Sequence, residues 1–310
     1  MKDIKHILVV MQPMSDHQPA LIQAIKIAKE TSATIELFLA AYHKDIVSPW
    51  GFDKEQVAAL QQEYLASKLR WLETYLPCVV EQGLTIKLDV VWHKNITTAI
   101  CEKLAQSEAD LVVKSTHQSS RLNKILFNPS DWQLLQHCQV PLLLTRSLTE
   151  APYKTIMAAV DPSQTHNKPK ALDKIILDMT IGLVALFESE IHVCHCYQPL
   201  GAELWQGMNA IGGDHGMNTM DFESYHQSIK HHHERLFNEL VDDYGFAEGV
   251  THLQVGSADY ELPKLVEETQ ADLLIMGMAE ENLFVGNTVE KILDNVNCDI
   301  LSVKAGELDN

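Results

Sequence analysis

Short apolar runs alternate along this chain with longer stretches in which apolar residues recur near every third or fourth position. The runs fall near residues 6–11, 35–41, 86–92, 110–114 and 140–145, and again near 155–160, 190–197, 250–255, 272–276 and 299–303. Unbroken runs of this length read as strands buried on both faces, and the intervening period reads as helix. Strands that alternate with helices join by right-handed βαβ crossovers, which predicts an α/β fold with parallel sheets. Leu60, Leu65, Leu69, Leu72 and Leu76, and later Leu236, Leu240 and Val241, recur close to a helical period and are expected to face a core.

The series of runs occurs twice. His6-Ile-Leu-Val-Val-Met-Gln-Pro13 aligns with Thr155-Ile-Met-Ala-Ala-Val-Asp-Pro162, Ala109-Asp-Leu-Val-Val-Lys114 with Ala271-Asp-Leu-Leu-Ile-Met276, and Cys138 with Cys298. A repeat of this size implies two copies of one domain. The polar, proline-containing stretch from Arg146 to Lys154 reads as the linker, so the expected domains are residues 1–147 and 153–305. Each is expected to be a doubly wound, five-stranded parallel sheet with helices on both faces.

Composition narrows the classes of function. The 310 residues are 46% hydrophobic and 21% charged, and no apolar run approaches the roughly 20 residues that span a bilayer, so no membrane partner is expected. The first residues, Met-Lys-Asp-Ile-Lys-His, do not resemble a secretory leader, and six cysteines are spread thinly, which together predict a reducing cytoplasm. The Asn95-Ile-Thr97 sequon is then an accident of sequence. A net charge of −18 argues against nucleic acid as a partner.

In an open parallel sheet, ligands bind beyond the carboxyl ends of the strands where strand order reverses. The second copy supplies the better candidates there. Asp161 ends its first strand, Gly277 ends its fourth, and Gly286-Asn-Thr288 opens the next helix, whose free N–H groups and dipole favour an anion. An N-cap role alone is the competing reading for Asn287 and Thr288.

Several segments carry a family likeness. Ile156-Met-Ala-Ala-Val-Asp161, Val255-Gly256, Ala271-Asp-Leu-Leu-Ile-Met-Gly277, Gly286-Asn-Thr288 and Cys298-Asp-Ile-Leu-Ser-Val303 together resemble the universal stress protein pattern. Val90-Val-Trp-His93, Lys114-Ser-Thr-His-Gln118 and Asn128-Pro-Ser-Asp-Trp132 resemble the first half of its E-type tandem members. The likeness implies domains paired as a pseudo-dimer, with further homodimerisation open, and a role in stress resistance that includes tolerance of DNA damage. It also implies a nucleotide, ATP or AMP, held in the second domain by Asp161, Val255, Gly256, Met276, Gly277, Gly286, Asn287 and Thr288.

The sequence departs from the family at the phosphate loop, of form G-x2-G-x9-G-[S/T/N]. Between Gly277 and Gly286 the second glycine is missing, the stretch is four residues short, and Glu280 and Glu281 add like charge near a triphosphate. In the first copy Gln12 replaces the aspartate and residues 114–130 contain no glycine, so no nucleotide is expected there.

The remaining candidates are weaker. His192, Cys194 and Cys196 share one face of a strand, where soft N and S donors suit zinc, but burial on a central strand makes the cysteines small apolar side chains, which is the expected role. His195 points to the opposite face. His231, His232 and His233 point in three directions on a helix and read as a solvated face. His93 and His117 follow strands three and four of the first copy, and they are the histidines to watch for a metal, although a polar lining is the expected role. Residues 200–220, rich in Gly and Met, read as a surface connector or a pocket cover. No catalytic motif stands out. A ligand-binding module is therefore expected, against two alternatives, a weak nucleotide hydrolase on the same fold and a protein-interaction module with vestigial pockets.

Overall fold

The computed structural model describes residues 4–13, 15, 17–47, 50–118, 125–126, 129–145, 147–163, 171–201, 222–278 and 287–305. In the first half, strands β1 (His6–Val10), β2 (Thr34–Ala41), β3 (Ile86–Trp92), β4 (Leu111–Ser115) and β7 (Leu142–Thr145) form a parallel sheet in the order β3-β2-β1-β4-β7. A two-residue pair, β5 (His117–Gln118) and β6 (Ile125–Leu126), makes a separate small hairpin. The second half repeats the arrangement with β8 (Thr155–Ala159), β9 (Glu190–Tyr197), β10 (Thr251–Val255), β11 (Leu273–Gly277) and β12 (Asp299–Val303), in the order β10-β9-β8-β11-β12. Each half is thus the doubly wound α/β unit that its apolar runs predict.

Helices cover both faces. On one face lie α1 (Pro19–Thr31), α3 (Lys54–Glu73), α4 (Leu76–Val80), α7 (Ala171–Phe187) and α8 (Phe222–Val241); α2 (Lys44–Val47) is a short turn before α3. On the other lie α5 (Ile96–Gln106), α6 (Pro129–His137), α9 (Ala258–Glu268) and α10 (Asn287–Asn295). Local chemistry starts several of them. Pro19 opens α1, where its missing N–H costs nothing. Asp53 and Gln56 close a reciprocal capping box on α3. Asn95 accepts from the N–H groups of Thr97 and Thr98 at the start of α5, which gives the sequon asparagine a structural task.

The leucine stripe of α3 is only partly a core face. Leu72 is fully buried, but Leu60 and Leu69 are 38% and 37% exposed. The reason lies in the sheet. The helix packs chiefly on β3, an outer edge strand, so part of its apolar stripe overhangs the last strand instead of covering one.

The two halves join through β7 and β12, which pair antiparallel with Leu142, Leu143 and Leu144 opposite Ser302, Leu301 and Ile300. All the strands but β5 and β6 therefore belong to one ten-stranded sheet. A buried polar cluster reinforces the join. Asp299 accepts from the hydroxyls of Thr145 (2.7 Å) and Tyr153 (2.9 Å) and from the N–H of Ser147 (3.3 Å). Above the Tyr153 ring sits the ammonium of Lys26 from α1, 4.0 Å from its centre. Burial holds Lys26 below the usual lysine value, and Asp299 and Asp272 act in the opposite direction. Gln23 of α1 reaches the linker carbonyls of Ser147 and Thr149, and Lys304 donates to the carbonyl of Gln136 in the other half.

Candidate functional site

Strand order reverses between β8 and β11 in the second half, and between β1 and β4 in the first. These are the two crevices in which a doubly wound sheet takes a ligand. The same two positions are built differently in the two halves.

In the second half, Asp161 follows β8 and is part-buried. Its backbone N–H donates to the buried carboxylate of Asp173, in the first turn of α7, at 2.9 Å, and its own Oδ1 accepts from the Ser163 hydroxyl at 2.6 Å. Met276 and Gly277 end β11, with Met276 buried. Gly277 has a packing reason to lack a side chain, because a Cβ there would lie 2.7 Å from Leu172 Cδ2 and 3.0 Å from Ile176 Cδ1 of α7. Gly256 takes φ +150°, a conformation suited to glycine, and Glu261 fills the space its side chain would need. Its N–H donates to the Tyr197 carbonyl, tying the end of β10 to the end of β9, while Val255 is 56% exposed. Asn287 and Thr288 begin α10, and Gly286 lies outside the described residues, as do Glu280 and Glu281.

Beside Asp161 runs a chain of imidazoles. His195, 1% exposed, turns Nδ1 towards the Val160 carbonyl at 3.2 Å and Nε2 towards His233 Nδ1 at 2.9 Å. A carbonyl only accepts, so neutral His195 carries its hydrogen on Nδ1, and His233 then donates from Nδ1 to His195 Nε2. His233 Nε2 is left as the proton-binding position, and a proton there breaks neither bond. Burial lowers the His233 pKa, His232 lowers it further, and Asp161 pulls it back up. The His233 ring stacks on Tyr197, with centroids 4.5 Å apart and planes 16° from parallel. The end of β8, the end of β9 and one face of α8 thus meet in an Asp161–His233–His195–Tyr197 wall.

The sequence points to Asp161 but not to this wall. His231 and His232 are exposed, as a solvated face requires, whereas His233 is part-buried and engaged. The available signal was that His195, facing away from Cys194 and Cys196 on a buried strand, needs a hydrogen-bond partner there.

The first half fills its own crevice. Gln12, at the position of Asp161, donates from Nε2 to the Ser115 carbonyl across the gap at 2.9 Å. Its N–H donates to Gln18 Oε1 and its carbonyl accepts from Gln18 Nε2, while Ser115 Oγ accepts from the N–H of Ala20. Lys114, at the position of Met276, is buried in an ion pair with Asp131, which is 0% exposed in the first turn of α6. The first turn of α6 thus carries a buried carboxylate of its own, where the helix dipole favours negative charge, paired with lysine.

Among the described residues no three His, Cys, Asp or Glu side chains form a metal-holding set. His93 Nδ1 accepts from the N–H of Asn95, and the side chain of His117 lies outside the described residues. Residues 202–221 of the Met-rich connector also lie outside them. Among the described residues no helix is long and apolar enough to cross a membrane.

Comparison with known proteins agrees with this architecture. Residues 3–146 and 152–304 each match the family described as the universal stress protein family. Universal stress protein E of Escherichia coli is 26% identical over 305 residues, covering 97% of this chain and 94% of that protein. A universal stress protein E homolog of Haemophilus influenzae is 24% identical, with 99% of both chains covered. Among solved structures, a functionally unknown protein from Pseudomonas aeruginosa superposes with a TM-score of 0.69 at 23% identity, covering 98% of this chain and 94% of that one. A universal stress protein from Archaeoglobus fulgidus does so with a TM-score of 0.63 at 13% identity over 98% of each chain.

Proposed function

Because the chain belongs to the universal stress protein family and carries its domain twice, we propose that it is a cytoplasmic stress-resistance protein whose second domain binds a small ligand and whose first domain is a structural partner. The asymmetry of the two crevices carries this reading. The first is stitched shut by Gln12, Gln18 and Ser115 and carries the buried Lys114–Asp131 pair. The second presents Asp161 at the switch point, with the stacked Tyr197–His233 pair beyond it at the end of β9.

The ligand class we propose is an adenine nucleotide. Asp161 suits a ribose hydroxyl, the part-buried His233 ring backed by buried Tyr197 offers a flat face, and the start of α10 favours a phosphate. Met276, Gly277, Val255 and Gly256 would wall the pocket, with Gly286, Asn287 and Thr288 at its phosphate end. Asp161 and Glu234 act electrostatically on His233 and Tyr197, and Glu261 lies over Gly256, so the opening is acidic. Such a mouth favours AMP over ATP unless Mg²⁺ accompanies the triphosphate.

The test is calorimetric titration with ATP, ADP and AMP, with and without Mg²⁺, beside Asp161→Ala. Saturable binding abolished by Asp161→Ala supports the reading, and no heat at millimolar nucleotide rejects it. Loss of the gene is expected to sensitise cells to starvation and to DNA-damaging agents, scored by survival against a complemented strain.

A further inference from the structure

A second donor set lies on the opposite face of the same sheet. Cys194 and Cys196 project from β9 to one side, with sulfurs 3.6 Å apart. Cys194 is 1% exposed and Cys196 is part-buried, so one residue is enclosed and the other is partly exposed to solvent. The strand register puts Met276, Ala159 and Cys194 in one row and Met157 next to His192 in the row before. Met157, Met276 and Met278 belong to the same buried cluster as Cys194, so the surroundings are soft and polarizable.

Two cysteines so close invite a disulfide, but strand geometry opposes one. Residues two apart on a strand stand about 6.5–7 Å from one another, and their Cβ atoms point out side by side. A disulfide needs those Cβ atoms about 3.5–4.5 Å apart. A bridging ion has no such requirement. At the roughly 2.3 Å of a metal–thiolate bond, sulfurs between about 3.6 and 4.6 Å apart enclose a cation through a bent to linear arrangement.

We propose that Cys194 and Cys196 form a two-coordinate thiolate site for a soft monovalent cation of the Cu(I) class. Zinc takes four donors, and among the described residues the two thiols are joined by no third His, Cys, Asp or Glu in a metal-holding group. Soft sulfur donors select Cu(I). On binding, each S–H gives its proton to solvent and each sulfur donates a lone pair to the cation, with no change of oxidation state. The contact with Cys196 and burial push the Cys194 thiol well above the ordinary thiol value, and Glu261 adds to this.

The experiment titrates the fully reduced, full-length protein anaerobically with Cu(I) presented as its bathocuproine disulfonate complex. One Cu(I) per chain is expected, with a thiolate-to-metal charge-transfer band. Cys194→Ser and Cys196→Ser should each weaken binding on the order of 100-fold or more, and Cys101→Ser should leave it unchanged. Circular dichroism checks each fold, and the part-buried Cys196→Ser carries the test if Cys194→Ser fails to fold. Undiminished Cu(I) binding in the Cys194→Ser/Cys196→Ser double variant overturns the proposal. So does equal retention of Zn(II), or a Cys194–Cys196 disulfide mapped by peptide mass after mild diamide treatment.

Discussion

Replacing Asp299 by alanine should loosen the join between the halves, and the structure sets the size of the effect. Asp299 is 2% exposed and accepts from two buried hydroxyls, those of Thr145 and Tyr153, and from the Ser147 N–H. Hydrogen bonds to a charged group contribute about 1.5–3 kcal/mol each, so losing the two hydroxyl bonds costs about 3–6 kcal/mol. Relief of the burial cost of the carboxylate offsets part of this, and loss of the anion near buried Lys26 adds to it. A net loss of about 3 kcal/mol is expected, and with a urea slope of about 3 kcal/mol/M the unfolding midpoint should fall by about 1 M. Asp299→Asn, which keeps one acceptor oxygen, should lose about half as much. Trp50, Trp71, Trp92 and Trp132, four of the five tryptophans, lie in the first half, so fluorescence reports on the half opposite the substitution. If the join couples the halves, fluorescence and far-ultraviolet circular dichroism shift together. A fluorescence midpoint within about 0.2 M of the wild type would refute the reasoning.

Three further outcomes are expected. Gly277→Ala drives a methyl into Leu172 and Ile176 and should cost about 1–3 kcal/mol by thermal or urea unfolding; an unchanged stability would mean that α7 yields freely. Lys114→Met alone removes the cation beside the buried Asp131 carboxylate and should cost about 3–5 kcal/mol, whereas Lys114→Met with Asp131→Leu should recover most of that in a double-mutant cycle; additive losses would contradict coupling between the two. Burial and mutual repulsion lower the pKa of His252, and burial lowers that of His192, whose Nδ1 lies 2.9 Å from His252 Nε2. The unfolded chain therefore binds protons first as pH drops. Stability from this pair is complete above about pH 6.5 and declines as pH falls below it. His252→Gln should flatten the drop in urea midpoint between about pH 7.5 and 5.5, and an equal drop in both proteins would exclude the pair as its source.

Much of the fold was legible because a strand buried on both faces must be apolar throughout. The runs at 86–92, 190–197 and 299–303 coincide with β3, β9 and β12. The twofold repeat was legible for the same reason, since two copies of one core need two copies of one pattern. The join was not, because nothing in Leu142–Leu144 distinguishes an edge paired to Ile300–Ser302 from a free one. The place of Asp161 just after β8 was legible from the apolar run before it. The His195–His233 contact was hidden because helical periodicity separates His231, His232 and His233 without saying which of them meets a strand 38 positions away. Lys114 was visible as an oddity, a lysine where the other copy has methionine, and its burial required a carboxylate that only the folded chain identified as Asp131.

The tether between the halves has a consequence for how the protein can change. An assembly of two identical chains must carry every substitution twice, so a residue that plugs one crevice plugs its twin. Here the twins are encoded separately, and the antiparallel meeting of β7 and β12 keeps them together whatever happens at their crevices. One copy thereby carries Gln12, Ser115 and the Lys114–Asp131 pair at its crevice, while the other carries Asp161 at the matching position. Inheritance of the two sites is uncoupled, and asymmetry that a symmetric pair could never fix becomes a stable property of a single gene.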